Sequence, residues 1–178
     1  MHVAVYCASS PSAAQLYGDV ATRLGEEMAR RGHTLVYGGG ATGLMGVVAR
    51  AAHAAGGHVI GVIPETLKAR EGIAYDAADE MIVTETMSER KRIMFTQADA
   101  FVVLPGGIGT LEEFFEVLTL RALGYHDKPI VLVSTDGFFD DLVTFLDRLG
   151  REGLVRAADR ERFAVVTTAE AALDAVGA

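Results

Sequence analysis

The chain of 178 residues holds one cysteine, Cys7, and no tryptophan. A lone thiol excludes an intramolecular disulfide framework and a cysteine-rich zinc site. Lysine is scarce: Lys68, Lys91 and Lys128 are the whole set. None stands in a Schiff-base context, which argues against pyridoxal chemistry. The histidines His2, His33, His53, His58 and His126 show no metal-ligand spacing. Bases are outnumbered, 16 against 24 acids for a formal charge of −8, which argues against nucleic-acid binding through a broad basic surface. No apolar run approaches the ~20 residues that span a bilayer. Met1-His2-Val3-Ala4-Val5 lacks the basic start and long apolar stretch of a signal peptide. The expectation is a cytoplasmic protein with no membrane or nucleic-acid partner and no metal.

Hydrophobic residues make up 50% of the chain and charged residues 22%, the balance of a soluble globular protein. The length predicts one domain over 1–178, able to bury ~70% of its unfolded surface without staples. Strands are expected at His2–Tyr6, Thr34–Tyr37, His58–Ile63, Ala100–Leu104, Ile130–Val133 and Phe163–Val166, with a short one at Met81–Val83. Helical patterns cover Ala13–Arg31, Leu44–Ala55, Thr86–Ala98, Thr110–Leu123, Phe138–Leu149 and Ala169–Val176, and Glu65–Ala78 reads as irregular. The strands are continuous in Val, Ile and Leu, as when helices cover both faces. Repeated β-α units predict an α/β fold: a three-layer, doubly wound parallel sheet, Rossmann-like. Ligands of such sheets bind beyond the carboxyl ends of the strands. That selects Cys7–Pro11, Gly38–Gly43, Pro64–Glu71 and Pro105–Thr110.

Pro105-Gly106-Gly107-Ile108-Gly109-Thr110 joins a buried strand to a helix. Its glycines let several N–H groups converge, and the helix adds its positive end, so a phosphate fits without a lysine. Gly38-Gly39-Gly40-Ala41-Thr42-Gly43 has G-x-G-x-x-G spacing, with Glu65 22 residues beyond Gly43. It follows the second strand rather than the first, which weakens a dinucleotide reading. Close backbone approach to a ligand and simple packing against a helix both remain open for it. Neither loop is a Walker loop.

Thr110-Leu111-Glu112-Glu113 has capping-box spacing. Either Thr110 caps the helix with Glu113 reaching back to it, or Glu113 faces the anion held by the loop. Glu112 is expected outward or at the ligand rim. In the helix from Met87, the residues Met87, Met94 and Ala98 share one stripe, with Arg90 and Lys91 bordering it by ~40–60° on either side. Two cations beside an apolar face either meet an anion or snorkel along the core edge. Ser9 and Ser10 stand ready to donate to a ligand oxygen.

The run P-G-G-x-G-T-x-x-E from Pro105 to Glu113, with Met87…Arg90-Lys91 and the Val36-Tyr37-Gly38-Gly39-Gly40 exit, resembles the Lonely Guy family. Its members are cytokinin riboside 5′-monophosphate phosphoribohydrolases, often labelled lysine decarboxylases. The likeness runs from about Val3 to Val133 and onward. It implies that Arg90 and Glu113 are catalytic. It also implies that Lys91, Gly107, Ile108, Gly109, Thr110, Leu111, Glu112 and Thr119 contact substrate, and that Glu71 matches a glutamate before the arginine helix. Tyr75 stands where bacterial members have a histidine. The resemblance further implies a nucleoside 5′-monophosphate substrate, no cofactor, and a homodimer or hexamer with sites at the subunit interface. The rivals from other classes are a nucleotide sensor without turnover, a dehydrogenase using Gly38–Gly43, and a broad salvage nucleosidase.

Overall fold

A computed structural model describes residues 1–71 and 78–177, giving only the backbone for 69–71 and 157. The strands are β1 (His2–Tyr6), β2 (Thr34–Tyr37), β3 (Val59–Pro64), β4 (Glu80–Thr84), β5 (Ala100–Val103), β6 (Ile130–Val133) and β7 (Ala164–Val166). The helices are α1 (Pro11–Arg30), α2 (Gly43–Ala54), α3 (Glu65–Glu71), α4 (Met87–Gln97), α5 (Ile108–Ala122), α6 (Asp140–Arg151), α7 (Ala157–Arg160) and α8 (Ala169–Val176). All seven strands lie in one sheet of order β4-β3-β2-β1-β5-β6-β7, every pair parallel. The predicted fold class holds. No described helix is long and apolar enough to cross a membrane.

Alternation along β1 sends Val3 and Val5 to one face and Ala4 and Tyr6 to the other. The first pair packs with Leu24, Met28, Leu44, Val48 and Leu173 under α1, α2 and α8. The second meets Phe101, Met94, Phe114 and Leu146 under α4, α5 and α6. Each large side chain buried this fully contributes roughly 1.5–3 kcal/mol, so both helical layers are anchored by the sheet.

Several expected bounds move by one or two residues, and three departures are more than that or touch the site. Of the stretch Glu65–Ala78 expected to be irregular, Glu65–Glu71 is helical, and 72–77 lie outside the described residues. Glu65 stands in its first turn, where a carboxylate suits the helix dipole. The short α7 was not foreseen. Helix α5 starts at Ile108, two residues before the expected Thr110, because glycine rather than threonine occupies the cap.

The chain runs outward from β1 through β2, β3 and β4, then returns to the other side of β1 as β5. The crevice at that reversal lies beyond the carboxyl ends of β1 and β5. Ala8 N donates to Pro105 O at 3.1 Å and Leu104 N to Tyr6 O at 2.9 Å, which locks the two exits together.

Candidate active site

The N-cap of α5 is Gly107, with no side chain to cap it, and the first turn holds no acid. Leu111 N donates to Gly107 O at 3.0 Å. The N–H groups of Ile108, Gly109 and Thr110 therefore precede the first helical bond and need an outside acceptor. A Cβ on Gly106 would overlap the Thr110 side chain, whereas one on Gly107 or Gly109 would meet nothing within 4 Å. Gly106 is thus required by packing, while Gly107 and Gly109 present bare backbone to open space. With the positive helix end behind it, this is an anion cradle.

The earlier helix start decides between the two uses of Glu113. Thr110 is the third residue of α5 rather than its cap, so the capping box does not form. Glu113 turns into a cavity of about 340 Å³ lined by Ser9, Ser10, Gly107, Gly109, Arg90 and Glu112 among others. It is only 8% exposed, as is Arg90. Arg90 Nη1 lies 3.5 Å from Glu113 Oε1, near enough for charge attraction and too far for a tight bidentate pair. Burial pushes the Glu113 carboxyl up to about 7, against the partial pull of Arg90. A carboxyl that changes charge near neutral pH inside a cleft suits acid–base or cation-stabilising work.

Arg90 Nε donates to Val62 O at 3.1 Å, so β3 holds the stem of the guanidinium. The snorkelling alternative fails for this residue, because its head is buried with its stem. Lys91 behaves differently. Its ammonium is held by Glu112 and by Glu116, the latter at 3.3 Å. It does not line the described cavity, whereas Glu112 does.

Other implied contacts separate. Ile108 is 89% exposed at the mouth and forms part of its wall. Leu111 packs against the second core instead. Thr119 lies along an apolar groove with Phe115, Leu118 and Leu123, away from Glu113. The side chain of Glu71, and Tyr75 entirely, lie outside the described residues. Met45, Ile63, Leu67 and Met87 also line the cavity. Sequence reasoning missed them as site residues, although Leu67 lies within the Pro64–Glu71 exit that it had marked and Ile63 directly precedes it.

The Gly38–Gly43 loop does not serve a pyrophosphate. Leu44 N and Met45 N at the head of α2 already donate to Ala8 O, at 2.9 and 3.4 Å. Gly43 has φ of +59°, and a Cβ there would collide with the Ser9 backbone. Glu65 begins α3 instead of ending a strand. The dehydrogenase alternative loses its binding loop.

Fold and site together define a Rossmann-like α/β protein with a main-chain anion cradle beside a buried carboxyl–guanidinium pair. A family model described as possible lysine decarboxylase matches residues 45–176. The cytokinin riboside 5′-monophosphate phosphoribohydrolase of Mycobacterium tuberculosis is 51% identical over 173 residues, covering 97% of this chain and 91% of that one. An Arabidopsis thaliana protein of the same name is 45% identical over 161 residues, covering 90% and 70%. The chain belongs to the Lonely Guy family. Among solved structures, the molybdenum cofactor carrier protein of Chlamydomonas reinhardtii superposes with a TM-score of 0.77 at 26% identity, covering 99% and 95%. The decarboxylase label finds no support in the site, since no lysine lines the described cavity.

Proposed function

We propose that the protein hydrolyses the N-glycosidic bond of a cytokinin riboside 5′-monophosphate, or of AMP, to the free base and ribose 5-phosphate. One observation carries the assignment: the buried Glu113–Arg90 pair and the open head of α5 share a single cavity. The phosphate docks on the N–H groups of Ile108, Gly109 and Thr110. That remote binding energy holds the ribose over Glu113.

As the C1′–N9 bond breaks, its electron pair leaves with the base and positive charge builds on the sugar. The Glu113 carboxylate faces that charge and orients the water whose oxygen bonds to C1′. The proton lost by the water balances the one gained by the departing base. Arg90 fixes the Glu113 carboxylate and the reacting end. The scheme uses no metal and no organic cofactor. The names of the relatives support the substrate class.

The proposal includes a homodimer. Phe115 on α5 and Leu123 at its C-cap are 36% and 66% exposed, and with Leu118, Leu146 and Phe163 they line an apolar groove. Such a groove suits burial against a second copy. Thr119 opens into it, so the substrate contact implied for Thr119 belongs to a site shared across that interface.

A panel of AMP, isopentenyladenosine monophosphate, GMP and CMP, read by free-base release, tests the reaction. Release from the adenine nucleotides is expected. Release from all four defines a broad salvage nucleosidase, and binding without release defines a sensor. A crystal soaked with AMP tests the geometry: a phosphoryl group lodged anywhere other than the Gly106–Thr110 turn overturns it.

A further inference from the structure

We propose that Gly38 is a positioning residue whose missing side chain leaves the slot that holds the Arg90 guanidinium against Glu113. The proposal rests on the assignment of Arg90 and Glu113 to the glycosidic chemistry and deepens it.

Arg90 rises from the first turn of α4 and reaches across the ends of β2 and β3. Its nitrogens are held in different directions. Nε donates to Val62 O at 3.1 Å. Nη1 faces Glu113 Oε1 at 3.5 Å and Met87 Sδ at 4.0 Å. Nη2 lies over Gly38. A Cβ built on Gly38 would overlap Nη2, and it would stand 3.2 Å from the guanidinium carbon and 2.9 Å from Met45 Sδ.

The adjacent glycines answer to other demands. Gly39 has φ of +76°, where a side chain is strained by the backbone alone. Gly40 faces only the flexible end of Met45, Cε at 2.7 Å. Gly38 is not among the positive-φ glycines. The backbone there accepts an alanine, and the obstacles are Arg90 and the movable Met45 sulfur. Arg90 has no easy retreat, because its Nε is bonded to a strand carbonyl inside the protein. The guanidinium is a rigid plane. Displacing Nη2 therefore swings Nη1 away from Glu113.

The test is Gly38→Ala in the full chain. Adenine release from AMP is expected to lose ~10–100-fold in kcat, the scale of a misplaced catalytic group. KM should stay close to wild type, because the α5 cradle is untouched. The acid limb of kcat/KM should move to higher pH. Arg90 is the largest charge opposing protonation of Glu113. The other groups bearing on Glu113 are Lys91 from α4, Glu112 and Glu116 from α5, Tyr6 at the end of β1 and Cys7 just beyond it, none of which the substitution touches.

A stability cycle with Arg90→Ala separates this role from a general packing defect. Gly38→Ala should lower Tm in the wild-type background and leave it unchanged or raised once Arg90 is gone. If Gly38→Ala alone does not fold, a folded Gly38→Ala/Arg90→Ala protein still supports the slot. An equal Tm loss in both backgrounds overturns it, as does failure of the double variant to fold. Unchanged kcat and pH profile in Gly38→Ala also overturn it. Loss of turnover in Arg90→Ala with none in Gly38→Ala removes only the role of Gly38. Wild-type turnover in Arg90→Ala removes the catalytic assignment of Arg90 and this proposal together.

Discussion

Replacing Glu113 by glutamine should weaken the enzyme and stabilise the protein at once, and the stabilisation should depend on pH. Burial raises this carboxyl from an ordinary value near 4.5 to about 7. A raised carboxyl loses stability to the unfolded chain as pH climbs, because the unfolded chain releases its proton first. Below pH ~4.5 both states hold the proton, and glutamine, a neutral isostere, should change little. The penalty grows between about 4.5 and 7, the span between the two values. Above that window a shift of this size amounts to ~3 kcal/mol at 1.36 kcal/mol per unit.

Glu113→Gln should therefore unfold at higher denaturant than wild type at pH 8, by ~3 kcal/mol, and the gap should close toward pH 4.5. In a protein of this size that is a rise of roughly 6–12 °C in Tm. Turnover of AMP should fall at least ~100-fold, the low end for a proton-transfer or charge-stabilising carboxylate. Denaturation at four pH values and adenine release on the same samples measure both effects. A pH-independent destabilisation would mean that the carboxyl serves the fold as a helix cap. Wild-type turnover would remove it from the chemistry.

The remaining predictions concern the same cavity and its rim. The kcat/KM profile for AMP should rise with pH through about 7, the value of the free Glu113 carboxyl, because the carboxylate is the working form. A profile flat from pH 5.5 to 8.5 would refute that. Gly109→Ala should gain ~0.4–1 kcal/mol of stability, as a helical glycine replaced without strain, while raising KM by filling the cradle. An unchanged KM would place the phosphate elsewhere. Lys91→Ala should alter stability by less than ~1 kcal/mol, since its partners Glu112 and Glu116 are solvent-exposed. Its KM for AMP should stay close to wild type, because Lys91 does not line the cavity, and a marked rise would bring Lys91 to the substrate. Phe115→Asp should yield monomers in sedimentation, and a persisting dimer would move the interface off the α5 groove.

Much of this molecule is legible along the chain. Apolar strands alternating with amphipathic helices declare a parallel sheet covered on both sides, and each predicted strand appears in it. The glycine run after Leu104 announces a backbone turned toward a ligand, because turn chemistry is local. The motif around Glu113 and Arg90 marks two residues that prove to share one cavity. Tertiary packing settled the rest. Thr110 and Glu113 have the spacing of a capping box, yet the helix is capped three residues earlier by Gly107, which leaves Glu113 free. Lys91 borders the same helix as Arg90 but ends on two carboxylates of α5, whereas Arg90 is threaded between Val62 and Gly38. The charge state of Glu113 depends on the dehydrated space between β1, α4 and α5 and on the cation across it. Periodicity and turns are set by near neighbours in the chain. The environment of a buried charge is summed over groups that only the assembled fold brings within a few ångströms.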